Sequence, residues 1–366
     1  MDVMNCAVNC LENSDEEDDP FETFNQKHHT STNNTNSVLS PTSPKEHAVI
    51  IELIGEGSFG KVFKGIYQNK HVAIKHEVIN DEYLNREIGI LKFIKKHPHK
   101  HVINMIDYSA THLRGKKTTT QIVMDLYDLN LYQVMNNLNS MRGDNFEYDV
   151  LLLVEQVSCQ ILTALQHIHS FKIIHRDLKG QNILIKGKGR DIIAVISDFG
   201  SAKIHSSSPS TWYVSTRYYR APECILQNGF YNHKIDIWGF GAVLAECLLG
   251  KPIFKGVDST DQLCKIFRIL GFPDKECLST LNTDLNPDHV RSLMQKQHKN
   301  KLRSVLVGNE NRVIAPESLC DVLSNMIQMN VEKRLDASQL LQLPYFTSGV
   351  IHTPANSWHC CRLPKF

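Results

Sequence analysis

The chain has almost no net charge: 40 lysines and arginines stand against 39 aspartates and glutamates, a formal balance of +1 over 366 residues. Bulk electrostatics therefore give no support to a nucleic acid or an anionic membrane as partner, and neither is expected. Long uncharged apolar runs are missing as well. The longest, IDIWGFGAVLAECLLG, carries Asp236 and Glu246 and is too short to cross a bilayer, so it reads as a buried helix. Residues 1–20 are acidic and lack the apolar core of a secretory leader. The ten cysteines have no regular spacing, and Cys360–Cys361 is neither a CxxC pair nor a terminal prenylation box. Reduced thiols in a cytoplasmic or nuclear protein are the expectation. Internal repeats are absent.

What remains is an ordinary composition, 42% apolar and 22% charged, in a chain long enough for one large domain or two lobes. Residues 1–47 combine ENSDEEDD with a polar tract, HHTSTNNTNSVLSPTSP, and are expected to be disordered. Ser40–Pro41 and Ser43–Pro44 suit a proline-directed kinase, and a plain linker reads equally well. Order is expected from about Val49. Alternating strands run to residue 79, an amphipathic helix covers 82–96, and strands return over 102–126. From about residue 150 the pattern is mainly helical.

Chemistry concentrates in a few stretches. GEGSFGKV, from Gly55 to Val62, has the G-x-G-x-x-G spacing that dinucleotide-binding proteins also use. Those place a helix after the glycines. Here KVFKGIY alternates as a strand, so the motif is a hairpin whose glycines admit phosphates close to the backbone, and a dinucleotide oxidoreductase is excluded. Lys75 follows 15 residues after Gly60, on the same strand face as Ala73. In the next helix Glu87 falls inside the apolar stripe of Leu84, Ile88, Ile90, Leu91 and Ile94. A carboxylate on a buried face demands a cation, and Lys75 is the expected partner.

The stretch IIHRDLKGQNILI opens and closes with apolar pairs suited to buried strands, yet holds Arg176, Asp177 and Lys179 between them. Asn182 comes five residues after Asp177, and Asp198 sixteen after that, in SDFG. An amide oxygen and a carboxylate are hard ligands of the sort Mg²⁺ uses beside substrate phosphates, which assigns Asn182 and Asp198 to metal. Asp177 is then left to accept the proton of an attacking hydroxyl, and Lys179 to neutralise charge on the group in transfer.

Together GEGSFGKV, VAIK, HRDLKGQN, DFG and APE resemble the eukaryotic protein kinases over residues 48–346. The resemblance implies an α+β, bilobal fold: a β-rich N-lobe over about 48–126, a mainly helical C-lobe over about 127–346, and a tail at 347–366. It implies ATP and Mg²⁺ as cofactors and proteins as substrates. It places ATP against Ile54, Gly55, Glu56, Gly57, Ser58, Phe59, Gly60, Lys61, Val62, Ala73 and Lys75, with Met124 as gatekeeper and Asp125 to Tyr127 as hinge. Glu223 of APE is expected to pair with Arg334. Gly180 stands where this branch usually has proline, which adds backbone freedom but removes no catalytic group.

STRYYRAPE and PIFKGVDSTDQLCKIFRILGFP look like the CMGC group, and NREI, LQHIHSFKIIHRD and DFGSAK are most similar to the glycogen synthase kinase-3 (shaggy) family. That family holds a phosphate already present on its substrate in a pocket of three basic residues, which fall here on Arg86, Arg176 and Lys203. A rival occupant is a phosphothreonine of the chain's own loop, since Thr211 to Tyr213 reads as the T-x-Y of mitogen-activated kinases. Tyr213 aligns with an activating phosphotyrosine on either reading. Residues 277–300 do not resemble the family's scaffold-binding segment, so Axin-type docking is not expected. A pseudokinase would have lost one of Lys75, Asp177, Asn182 or Asp198, and all four are present.

Overall fold

The computed structural model describes residues 48–57, 60–113, 117–140, 145–205, 216–226, 231–281, 299–308 and 313–348. The acidic N-terminal tract, Ser58, Phe59, Thr211, Tyr213, residues 282–298 and the tail from 349 lie outside the described residues.

The first half of the fold is a five-stranded antiparallel sheet in the order β1-β2-β3-β5-β4. Its strands are β1 (Val49–Gly57), β2 (Gly60–Tyr67), β3 (Lys70–Asn80), β4 (Met105–Leu113) and β5 (Lys117–Asp125). Period-2 alternation sorts the side chains of β3. Val72 and Ile74 are buried with Tyr67 and Val123 in a small apolar cluster, while Ala73, Lys75 and Glu77 take the opposite face. On that face lies α1 (Asp81–Lys96), whose Ile88, Ile90, Leu91 and Ile94 are buried. Lys95 and Lys96 close the helix where its dipole favours cations.

The segment after α1 ties the sheet to the helical half. The N–H of Ile103 donates to the carbonyl of Ile196 at 2.9 Å, and the N–H of Ile196 to that of His101 at 3.0 Å. Ile196 ends β9 (Ile193–Ile196), which joins β6 (Leu129–Asn130) and β8 (Ile183–Lys186) in a small sheet of order β6-β8-β9. β7 (Ile173–Ile174) pairs instead with β10 (Lys203–Ile204). The apolar residues flanking the charged stretch thus lie in strands, with Ile173, Ile174, Ile183 and Ile185 buried and Leu184 half-buried.

Helices carry the rest. α2 (Leu131–Ser140) follows β6, and α3 (Phe146–Ser170) is long and apolar enough to cross a membrane by composition. In this fold Val150, Val157, Ile161 and Leu165 of α3 are core residues. α4 (Pro222–Ile225) carries Glu223, and α5 (Lys234–Leu249) buries nearly every side chain, including Asp236. An all-round apolar helix must be surrounded by protein, and α5 packs against α3 and against α6 (Glu317–Met326). Six cysteines, Cys159, Cys224, Cys247, Cys264, Cys277 and Cys320, are free thiols among the described residues.

Candidate active site

β1 and β2 form a hairpin across the glycine-rich stretch, with Gly57 opposite Gly60. No helix follows the glycines. The register shifts between Leu53 and Gly55, so Ile54 sits at an irregularity of the edge strand. Ala73 pairs with Met124 and Val72 with Asp125, which sets Met124 at the end of β5 where the chain crosses toward β6 through Tyr127.

Beneath the hairpin lies an ammonium ringed by carboxylates. The Nζ of Lys75 is 2.8 Å from Oε1 of Glu87 and 3.3 Å from Oδ1 of Asp198. A third carboxylate, Oε2 of Glu77, lies 3.4 Å away. Burial alone would lower the pKa of Lys75, but Glu87, Asp198 and Glu77 outweigh it and hold the pKa above the ordinary lysine range. A glycine lies close beside it. A Cβ on Gly200 would stand 3.3 Å from Oδ1 of Asp198 and 3.6 Å from Nζ of Lys75. Phe199 is buried, its ring edge-on to His175 with centroids 5.1 Å apart.

A second hub centres on Asp177. Its Oδ2 accepts from Nζ of Lys179 at 2.7 Å and Nδ2 of Asn182 at 3.3 Å. Its Oδ1 accepts from the N–H of Thr216 at 2.9 Å and from its hydroxyl at 3.0 Å. Burial would raise the Asp177 pKa, but Lys179 and the Thr216 N–H prevail and hold it below the ordinary carboxylate range. His175 links this loop to Asp198. Its Nδ1 accepts from the N–H of Asp177, so Nε2 carries the proton donated to the carbonyl of Ser197 at 2.8 Å.

Arg176 adopts φ +69°, a left-handed conformation rare outside glycine. The cause is Asp236 of α5. Its Oδ1 takes the N–H of Arg176 and its Oδ2 that of His175, both at 2.8 Å, with Nε2 of His169 at 2.9 Å. The guanidinium then donates to the carbonyl of Ser201 at 2.6 Å and the hydroxyl of Tyr231 at 2.8 Å. Lys203 feels burial first, then Arg176 and Arg86, and its pKa is lowered accordingly. The three basic residues therefore share one neighbourhood. Glu223 and Arg334 meet in a buried two-pronged pair, Nη1 to Oε1 at 2.5 Å and Nη2 to Oε2 at 3.0 Å.

Residues 48–346 match the family model of the protein kinase domain. The chain belongs to the protein kinase family. Among curated relatives it is 31% identical to protein kinase gsk3 of Schizosaccharomyces pombe, over 94% of this chain and 84% of that one. It is 33% identical to mitogen-activated protein kinase 13 of Bos taurus, over 83% of this chain and 78% of the relative. It is also 33% identical to a probable serine/threonine-protein kinase, glkA, of Dictyostelium discoideum, over 81% of this chain but only 58% of that protein's length. The kinase is thus a serine/threonine protein kinase of the CMGC type, glycogen-synthase-kinase-like and divergent.

Within this kinase domain the structure brings together Lys75, Glu87 and Asp198 in one cluster and Asp177, Lys179 and Asn182 in the other. Thr216, Asp236, Tyr231 and Glu77 were not singled out as site residues from the sequence. Only Asp236 left a readable trace, as a charge in an apolar run that had to find partners.

Proposed function

We propose that this chain transfers the γ-phosphoryl group of ATP to serine or threonine hydroxyls of protein substrates. The observation that carries the reading is the Asp177 hub. A carboxylate kept ionised by Lys179 and Thr216 is suited to orient an alcohol and take up its proton. The Lys75–Glu87 pair, with ATP under the β1–β2 hairpin and against Ala73 and Met124, would hold phosphates in line with that alcohol.

Mg²⁺ fits the donor set. Asn182 spends its amide nitrogen on Asp177, which leaves the amide oxygen as an acceptor, and Asp198 keeps a partly exposed carboxylate. These two residues would hold the ion, which when bound neutralises charge on the transferring phosphoryl group. Lys179 stands beside Asp177 to balance the charge of the group in transfer.

Arg86, Arg176 and Lys203 are proposed to grip a phosphate already carried by the substrate, downstream of the target residue. Their mutual electrostatic influence supports this, since three like charges in one neighbourhood favour an anion. The T-x-Y reading, with Thr211 and Tyr213 as phosphosites, falls outside the described residues. Transfer of radiolabelled phosphate to paired peptides, with and without the downstream phosphate, separates the two. A higher kcat/KM on the primed peptide is expected, and equal values would remove the priming proposal. Asp198→Ala is expected to abolish nearly all transfer while the chain stays folded; undiminished transfer would overturn the metal assignment.

A further inference from the structure

Glu77 is a buried carboxylate that phosphoryl transfer as outlined does not use. β3 alternation puts it on the face of Lys75, and its Oε2 lies 3.4 Å from the lysine Nζ. It is only 5% exposed, and its Oε1 has no hydrogen-bond partner among the described residues. Directly across on β5 stands Thr120, whose buried hydroxyl also lacks one. On the β2 side sits Gly60 of the glycine-rich hairpin, at φ +117°. A Cβ there would come 2.8 Å from that of Glu77, so the hairpin rests directly on this residue.

Among the described residues, the charged groups at Glu77 bear on one ammonium. Lys75 comes from its own strand, Glu87 from α1, and Asp198, through Lys75, from the segment after β9. His76 points to the other face, toward Phe63. Three carboxylates around one cation leave an excess of negative charge, and nucleotide phosphates would add more. Such a site is relieved by a proton on one carboxylate, and Glu77, buried beside the ammonium that Glu87 also holds, is the carboxylate with an oxygen left unpaired among the described residues.

We propose that Glu77 is a positioning residue for Lys75: protonated, it leaves the ammonium to Glu87 and the nucleotide, and ionised, it competes for that ammonium and draws it back along β3. This rests on the reading of Lys75 as a nucleotide-phosphate contact. The titration falls in a useful range. Burial first, then the nearby Glu87 carboxylate, against the opposing pull of Lys75, raises the Glu77 pKa to about 7. Nucleotide affinity then follows the fraction of molecules with Glu77 protonated.

The test is KM for ATP against pH for the full chain and for Glu77→Gln and Glu77→Val, with equilibrium binding of a non-hydrolysable ATP analogue measured in parallel. In the parent, KM is expected to rise about tenfold between about pH 6 and pH 8, with kcat changing much less. Glu77→Gln, which keeps the shape and loses the charge, is expected to flatten that rise, and Glu77→Val to flatten it as well. A thermal melt at each pH checks that all three are folded, and the glutamine variant decides if the valine one is not. If parent and Glu77→Gln give parallel profiles, the positioning role is wrong while the kinase reading stands. If the parent neither binds the analogue nor transfers phosphate, both fall.

Discussion

Thr216 shows how much a single neutral residue can hold, through its backbone N–H and its hydroxyl together. It gives Asp177 two hydrogen bonds on Oδ1, leaving Oδ2 to Lys179 and Asn182. Both carboxylate oxygens are thus fixed in direction. Thr216→Ala removes the hydroxyl bond and leaves Oδ1 to the backbone N–H alone, so the carboxylate is held less tightly and kcat is expected to fall by up to about tenfold, with KM for ATP little altered. Thr216→Ser keeps the donor and is expected to restore most of the rate. The pH profile adds a signature. Asp177 lies below the ordinary carboxylate range with the backbone N–H of Thr216 among the causes, a donor that alanine keeps, so its charged form persists into acid and Thr216→Ala should leave the acid limb of kcat/KM in place. A limb that moves upward would show that the hydroxyl, and not the N–H, holds Asp177 in its charged form. Lys75, Glu87, Asp177, Asn182 and Asp198 were legible because each carries its chemistry in its type and spacing. Thr216 was not, since one threonine in a loop looks like any other until the fold brings it to a carboxylate 39 residues away.

At the scale of elements, the helices and strands follow their periodicity closely. α1 is a 16-residue helix over Asp81–Lys96 because its apolar positions recur at helical spacing, and Glu87 in that stripe found its lysine. α5 tells a different story. Its uniform apolarity announced burial, but the purpose of Asp236 lay in an element 60 residues earlier. There its carboxylate accepts two backbone N–H groups and a histidine, and burial, which would raise its pKa, is outweighed by these bonds so that the pKa is lowered. A left-handed arginine costs on the order of 1–2 kcal/mol, and this clamp offsets it. Asp236→Asn retains one acceptor and is expected to destabilise the chain by about 1–3 kcal/mol. The loss should appear in urea unfolding, with a fall in transfer rate as Arg176 relaxes. A variant of full stability and full rate would show that the clamp is not needed.

Across the whole molecule, the Glu223–Arg334 pair joins segments 111 residues apart and is shielded from water on both sides. Arg334 also lies over the Trp238 ring, 5.1 Å from its centroid. Glu223→Gln leaves a buried guanidinium without its counter-charge and is expected to cost about 3–5 kcal/mol, read as a lower unfolding midpoint. The double variant Glu223→Leu with Arg334→Met should be less destabilised than either single charge removal, and an additive loss would refute that account. Titrations pull stability in opposite directions. Asp177 and Asp236 have lowered pKa values, so their stabilisation is present above the ordinary aspartate value of 3.8 and is lost as the pH falls through their folded values. Glu77 is raised from 4.5 to about 7, so its contribution is full below 4.5 and is lost as the pH rises through 7. Glu77→Gln should therefore gain in Tm on the parent between those values, and a constant Tm difference would argue against the raised pKa.

The order of residues by itself determined which residues are candidates for the site, the kinase resemblance, the strand after the glycines and the buried helices. These depend on local periodicity and on side-chain chemistry that a short window contains. Only the tertiary structure decided which neutral and charged neighbours complete the site: Thr216 on Asp177, Asp236 beneath Arg176, and Glu77 beside Lys75. Hydrogen bonds and ion pairs act over about 3 Å in space, whatever the separation along the chain.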